Sequence, residues 1–187
     1  MINVQFAARP ERWATQEAPL RAAFAQAGLN ADLRPDHDPA DVRVAGDDLV
    51  HAGRGDDTVY GNRNADLLFG NRGSDTLRGN LGQDRLYGNQ GDDVLQGGRG
   101  SDALFGGREN DSLAGGAGDD TLHGGRGSDT LVGGAGADSF VFTHGHDVIA
   151  DYSAEEDWLV VTRDDLLTYA EQVGEDVLVT INKNTSL

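Results

Sequence analysis

Gly97-Gly-Arg-Gly-Ser-Asp102-Ala-Leu-Phe105 decides the fold, because it recurs. Gly115-Gly-Ala-Gly-Asp-Asp120-Thr-Leu-His123 runs directly into Gly124-Gly-Arg-Gly-Ser-Asp129-Thr-Leu-Val132 and then Gly133-Gly-Ala-Gly-Ala-Asp138-Ser-Phe-Val141. Extended both ways, the nine-residue register covers residues 43–150 in twelve units. Position six is always Asp: Asp48, Asp57, Asp66, Asp75, Asp84, Asp93, Asp102, Asp111, Asp120, Asp129, Asp138 and Asp147. Position eight is always apolar, from Val50 and Val59 through a run of leucines to Phe140 and Ile149. Position four is Gly except at Asn64 and Glu109.

The period has a physical reading. Glycine adopts positive φ without a steric cost, so the Gly-rich part of each unit folds into a tight turn. The x-apolar-x triplet that follows reads as a short strand, outward-inward-outward. One such strand buries nothing alone, but stacked units share a continuous core. The spacing therefore predicts an all-β repeat. A flexible acidic linker would not keep Asp and Leu in register over twelve units.

The nonapeptide resembles the RTX, or hemolysin-type, calcium-binding repeat. The resemblance implies a right-handed parallel β-roll with two nonapeptides per turn. Asp48, Asp66, Asp84, Asp102, Asp120 and Asp138 would then line one edge, and Asp57, Asp75, Asp93, Asp111, Asp129 and Asp147 the other. Neighbouring turns of a sheet stand about 4.8 Å apart. Two carboxylates at that spacing repel by about 0.8 kcal/mol even in water, and ten such pairs by about 8 kcal/mol. A hard divalent cation removes the repulsion. Calcium takes six to eight oxygens in flexible geometry, whereas magnesium demands a regular octahedron and gives up water reluctantly. Zinc and copper prefer imidazole or thiolate. The expected cofactor is Ca2+, in at most about ten sites between stacked loops. Glu109, where the turn favours Gly, is expected to weaken the site of Asp111; Asn64 is milder, since Asn tolerates the left-handed region. A metal-free parallel β-helix is the bland alternative.

Composition excludes other classes. The chain has 187 residues, 32 acidic and 15 basic side chains, net charge −17 and no Cys. Nucleic-acid binding calls for the opposite charge. Disulfides and thiolate sites are impossible without Cys. No apolar run approaches the length of a membrane span, and the apolar run at the start of this sequence is too short for a cleaved signal peptide, so none is expected there. There is no His-Glu-x-x-His and no Gly-x-Ser-x-Gly, so no protease or lipase centre is present and no catalytic residue is assigned. Gly53-Arg-Gly55 sits in repeat register and opens no helix, so it is not a nucleotide site. His144-Gly-His146 reads as loop.

The flanks differ from the repeats. Residues 1–42 predict a strand at 2–7, a helix at 11–27 capped by Gly28, and a strand at 29–33. Phe6-Ala-Ala-Arg-Pro10-Glu-Arg-Trp13 and Ala18-Pro-Leu-Arg21 resemble the opening β-α-β of glyoxylate/hydroxypyruvate reductase-type D-2-hydroxyacid dehydrogenases. That family's dinucleotide fingerprint and catalytic residues have no counterpart here, so the fragment is read as non-catalytic. Gly145-His-Asp147-Val-Ile149-Ala-Asp151-Tyr152 and Asp157-Trp158-Leu159 resemble the end cap of secreted RTX proteins, with Glu155 where that pattern has Gly. Residues 164–172 read as a short helix and 177–181 as a strand. Residues 151–187 are thus expected to form a C-terminal cap and, by resemblance, a type I secretion region. The chain stops short of a last strand of that pattern, which bears on export.

Position nine of alternate units is His51, Phe69, Tyr87, Phe105, His123 and Val141. These would form an aromatic stripe on one outer face, opposite a more polar stripe of Tyr60, Arg78, Gln96 and Ala114. A protein contact is expected on Phe69, Tyr87 and Phe105, made by the N-terminal helix around Trp13, Leu20 and Phe24 or by a partner. The alternative is that aromatics simply favour solvent-facing strand positions. The function expected is calcium binding and calcium-dependent folding of a secreted, extracellular RTX-type protein. The alternative is an adhesive surface scaffold built on the same roll.

Overall fold

The computed structural model describes residues 3–5, 30–31, 41–43, 46–142, 145–161, 167–173 and 176–181. The described residues contain strands and turns but no helix. Three short strands come first: β1 (Asn3–Gln5), β2 (Asn30–Ala31) and β3 (Asp41–Arg43). The repeats supply β4 (Leu49–Arg54), β5 (Thr58–Arg63), β6 (Leu67–Arg72), β7 (Thr76–Leu81), β8 (Arg85–Gln90) and β9 (Val94–Arg99). They continue with β10 (Ala103–Arg108), β11 (Ser112–Ala117), β12 (Thr121–Arg126), β13 (Thr130–Ala135), β14 (Ser139–Phe142) and β15 (Gly145–Ile149). Last come β16 (Trp158–Val161), β17 (Leu167–Val173) and β18 (Asp176–Ile181).

Successive repeat strands alternate between two sheets. One runs β1-β4-β6-β8-β10-β12-β14-β16, the other β17-β18-β15-β13-β11-β9-β7-β5-β3-β2. Within the repeats all pairing is parallel and offset by 18 residues, as in Leu104 against Leu122 and Leu113 against Leu131. Two nonapeptides therefore make one turn, and about six turns make a parallel β-solenoid consistent with a β-roll. Position eight of every unit is buried, from Val50 to Ile149, and residues of both sheets join one core with Phe142 and Ala52. Position alternation thus does what the sequence requires: a single inward side chain per strand meets its counterparts above, below and across.

The strands are longer than the expected triplet. Most hold six residues and continue through the first three positions of the next unit, leaving only positions four to six for the turn. Position two adopts positive φ inside the strand, as at Asn71 (82°) and Gly107 (123°), which bends it into the turn. Position one tolerates no side chain in most units: a Cβ on Gly79 would overlap Asp84 Oδ2 and the Gly97 carbonyl oxygen.

Both ends depart from the 18-residue offset. β3 pairs with β5 at an offset of 17, setting Val42 beside the inward-facing Val59. β16 pairs with β14 at an offset of 19, setting Leu159 beside Phe140. Antiparallel β18 covers β15, and β17 covers β18. The strand at 177–181 is therefore present, whereas the helix expected at 164–172 is replaced by β17. Leu167–Val173 alternates well enough to pair, and the sheet edge offers β18 as a partner, which overrides a weak helical preference.

The N-terminal strands also occur, but β1 lies in one sheet and β2 in the other. They do not make the single parallel pair of a β-α-β unit. Instead β1 adds to β4, and β3 with β2 extends the sheet beyond β5. The helix expected at 11–27, with Trp13, Leu20 and Phe24, lies outside the described residues, as does His144.

Candidate metal centre

The turns place all twelve position-six aspartates inside the roll; none is more than 8 % exposed. Each ladder is locked by the main chain. The N–H of one Asp donates to Oδ1 of the Asp one turn on: Asp48 to Asp66 (2.9 Å), Asp66 to Asp84 (2.8 Å), Asp84 to Asp102 (2.8 Å), Asp102 to Asp120 (2.7 Å) and Asp120 to Asp138 (2.9 Å). The second ladder repeats this from Asp57 through Asp75, Asp93, Asp111 and Asp129 to Asp147. The structure thus brings the predicted residues together as two columns with five gaps each.

The other carboxylate oxygen has no such donor. Oδ2 of Asp48, Asp66, Asp75, Asp84, Asp93, Asp102, Asp111, Asp120 and Asp129 is buried without a hydrogen-bond partner. Its surroundings are acceptors. The point that a Cβ on Gly61 would fill lies against both Asp66 Oδ2 and the Gly79 carbonyl oxygen, and the same pairing recurs at Gly97 with Asp102 Oδ2 and the Gly115 carbonyl. Two acceptors converging with no donor between them leave a buried polar group unsatisfied, which costs about 1–3 kcal/mol each. A cation or a proton is what such a point lacks.

Burial accordingly raises the carboxyl pKa values, with the N–H bond from the preceding turn opposing it. Asp66 and Asp111 are pushed up to about 8, Asp75, Asp102 and Asp147 to about 7, and Asp93 and Asp120 to about 6. Asp48, Asp84, Asp129 and Asp138 are raised as well, desolvation again the first cause. Among the described residues no three His, Asp or Glu side chains converge. A metal here would draw on ladder carboxylates plus turn carbonyls, a set of hard oxygens that suits calcium.

Several contributors were missed in reading the repeat pattern. Position five forms an outer ladder in the opposite sense: Asp56 Oδ1 accepts the Ser74 N–H (2.8 Å), Asp92 Oδ1 that of Asn110 (2.9 Å) and Asp119 Oδ1 that of Ala137 (3.0 Å). The signal was present as frequent Asp, Asn or Ser at position five. At the C-terminal end, Asp157 takes the next place in the first ladder. Its Oδ1 accepts the Asp138 N–H (3.0 Å), but its Oδ2 accepts the Ser153 N–H (2.8 Å). Asp151 receives the N–H groups of Gly133 (2.9 Å) and Gly134 (2.8 Å). These two carboxylates end the stack on backbone donors.

Glu109 adopts φ 71° and Asn64 φ 76°, so both fit the turn. Gly91 donates to Glu109 Oε2 (3.1 Å), whereas Gly73 and Gly100 donate to backbone carbonyls. His146 stands in β15, its N–H held by the Gly127 carbonyl (3.1 Å). The aromatic stripe is a stack: ring centroids lie 4.5 Å apart for His51–Phe69, 4.8 Å for Phe69–Tyr87 and 4.6 Å for Tyr87–Phe105. On the opposite face Arg78 donates to Gln96 Oε1 and the Tyr60 hydroxyl, both at 2.9 Å.

A parallel β-solenoid with paired carboxylate columns along its turns defines a class of repeat proteins that hold cations between loops. Comparison with known families agrees. The RTX calcium-binding nonapeptide repeat matches in four copies, at residues 44–77, 78–113, 105–140 and 114–149, more than half of the chain. The chain belongs to that family. Its repeats bind Ca2+ between stacked loops, and the roll is a structural calcium-binding module. No curated protein matches the chain. No helix among the described residues is long and apolar enough to cross a membrane.

Proposed function

We propose that the chain is a calcium-dependent folding module of a secreted RTX-type protein, without catalysis of its own. The ions would be held by Asp48, Asp57, Asp66, Asp75, Asp84, Asp93, Asp102, Asp111, Asp120, Asp129, Asp138 and Asp147 with neighbouring turn carbonyls. The observation that carries this reading is the column of buried Oδ2 oxygens facing carbonyl oxygens. Calcium supplies the positive charge that those oxygens lack, and the protein supplies position. From Asp66 and Asp75 onward the N–H bonds fix Oδ1, and the glycines from Gly61 to Gly133 keep the space beside Oδ2 free of side chains.

Binding is then coupled to folding, because the unfolded chain holds no such columns. Each independent site adds about 2.7 kcal/mol at a hundredfold excess over its Kd. Extracellular calcium modules work at about 10⁻⁴–10⁻³ M, so the chain would stay unfolded in a low-calcium cytoplasm and fold after export. Residues 151–187 serve as the cap and type I secretion region, and residues 1–42 as a non-catalytic extension. The test is circular dichroism during a calcium titration, with magnesium as control. Gain of β signal with calcium alone is expected. No gain up to about 10 mM, well above the range of extracellular modules, or an equal gain with magnesium, overturns the reading.

A further inference from the structure

The repeats hold seventeen acidic and nine basic side chains, all of the latter Arg. Four of those arginines fall in one column. The last residues of β4, β6, β8, β10 and β12 are Arg54, Arg72, Gln90, Arg108 and Arg126, each in register with the next. All five are exposed, and none of the four arginines is ion-paired among the described residues. The column spans about 19 Å at the spacing of parallel strands. Acidic neighbours offset it only in part: Asp56 and Asp92 stand two residues after Arg54 and Gln90 and Glu109 follows Arg108, whereas the position-five residues after Arg72, Arg108 and Arg126 are the uncharged Ser74, Asn110 and Ser128.

We propose that this edge of the roll binds a linear anionic polysaccharide once the aspartate ladders hold calcium. The inference rests on the calcium reading above. Without metal the repeats carry a net charge of −8, which repels a polyanion. Ten divalent ions bring twenty positive charges and reverse that sign. The turns beside the arginines are those of Asp57, Asp75, Asp93, Asp111 and Asp129, so the reversal is strongest next to the column.

The chemistry favours a sugar polyanion over other anionic partners. Arg presents a planar fork that pairs with sulfate or carboxylate groups, and a straight row at strand spacing suits an extended chain with charges at regular intervals. Single-stranded nucleic acid needs free ring faces on which bases stack. The faces of Phe69 and Tyr87 are already taken by neighbouring rings at 4.5–4.8 Å. A membrane surface needs projecting apolar groups, and Leu81, Val94 and Trp158 lie in the other sheet or at the end of the roll.

The test uses the whole chain and fluorescent dextran sulfate, whose sulfates do not compete strongly for calcium. Binding is followed by anisotropy at saturating calcium and in chelator, with neutral dextran as control. The variant is Arg72→Gln/Arg108→Gln/Arg126→Gln, at exposed positions whose replacement leaves the fold intact. Calcium-dependent binding of dextran sulfate alone is expected, with the variant weaker by about tenfold to a hundredfold, the combined effect of three exposed charge contacts. Circular dichroism of the same samples separates the two readings. A normal calcium response with unchanged binding by the variant overturns this proposal only, as does equal binding in chelator. Tighter binding to single-stranded DNA or to phosphatidylserine vesicles overturns the choice of partner. No calcium response at all removes the calcium reading and this inference with it.

Discussion

Leu95→Ala offers a way to count the ions that fold the roll. Leu95 is fully buried in the middle of the core, between strands that continue on both sides. Truncation leaves a cavity that neighbouring turns cannot close, because their register is fixed by ten Asp N–H to Oδ1 bonds. Such a change costs about 2–5 kcal/mol. If folding takes up one ion per gap, each tenfold rise in calcium stabilises the roll by about 14 kcal/mol over ten sites. The loss is then recovered by raising calcium only about 1.4- to 2.3-fold. With two ions, the same loss would need about a 5- to 70-fold rise. The assay is the midpoint of a calcium titration followed by far-ultraviolet circular dichroism, wild type beside variant. A small midpoint shift with unchanged steepness is expected. A shift of about tenfold or more refutes the ten-gap stoichiometry, and no shift refutes the coupling of core packing to calcium.

Acid should act as a substitute for metal. The ladder carboxyls have folded pKa values of about 6 to 8 for the seven most perturbed groups, all above the ordinary 3.8. The folded apo roll therefore binds more protons than the unfolded chain between these limits, and its stability falls as pH rises through about 6 to 8. Calcium-free chain at pH 5 should show more β signal than at pH 8.5; an unchanged or smaller signal at the lower pH counts against the buried ladder. Gly97→Ala puts a Cβ on Asp102 Oδ2 and the Gly115 carbonyl. It should lose the ion beside that glycine and destabilise the roll by about 1–3 kcal/mol, and calorimetric titration with undiminished stoichiometry would contradict this. Asp157→Asn turns an acceptor of two N–H bonds into a group with its own donors. It should cost about 1–3 kcal/mol and raise the calcium midpoint, with a changed Trp158 emission; an unaltered titration would show that the cap does not depend on this carboxylate.

The roll was legible because repetition multiplies a weak signal. One x-Leu-x triplet says little, but twelve in register with twelve aspartates admit only a stack in which like meets like. The ladder residues were legible for the same reason: in a parallel register offset by 18, Asp66 must come to lie between Asp48 and Asp84. Strand length was less accessible. Gly-rich segments look like turn throughout, yet positions one to three continue the ladder, with Arg54 beside Arg72. Glycine at position one marks a place where a carboxylate sits rather than a place where the chain must bend, and only the folded arrangement separates these two uses of the same residue.

The ends were least legible, and the reason is the same physics with the repetition removed. A terminal turn must still present an apolar residue to the core, an acceptor to the last N–H group and a cover to the sheet edge. It has one copy in which to do so. The chain meets the first demand by slipping register, so that Val42 rather than Asp41 aligns with Val59. It meets the second by inserting one residue before Asp157, which then receives the Asp138 N–H across an offset of 19. It meets the third with antiparallel β18 against β15. Each shift of one residue breaks the nine-residue frame that revealed the repeats, so a periodic reading passes over the residues that close the stack. The distinction matters chemically. Asp138 and the aspartates before it donate their N–H to the next carboxylate, and most bury an Oδ2 that has no hydrogen-bond partner; Asp157 has both oxygens on backbone donors. The ladder thus stops where its last carboxylate has a backbone donor for each oxygen.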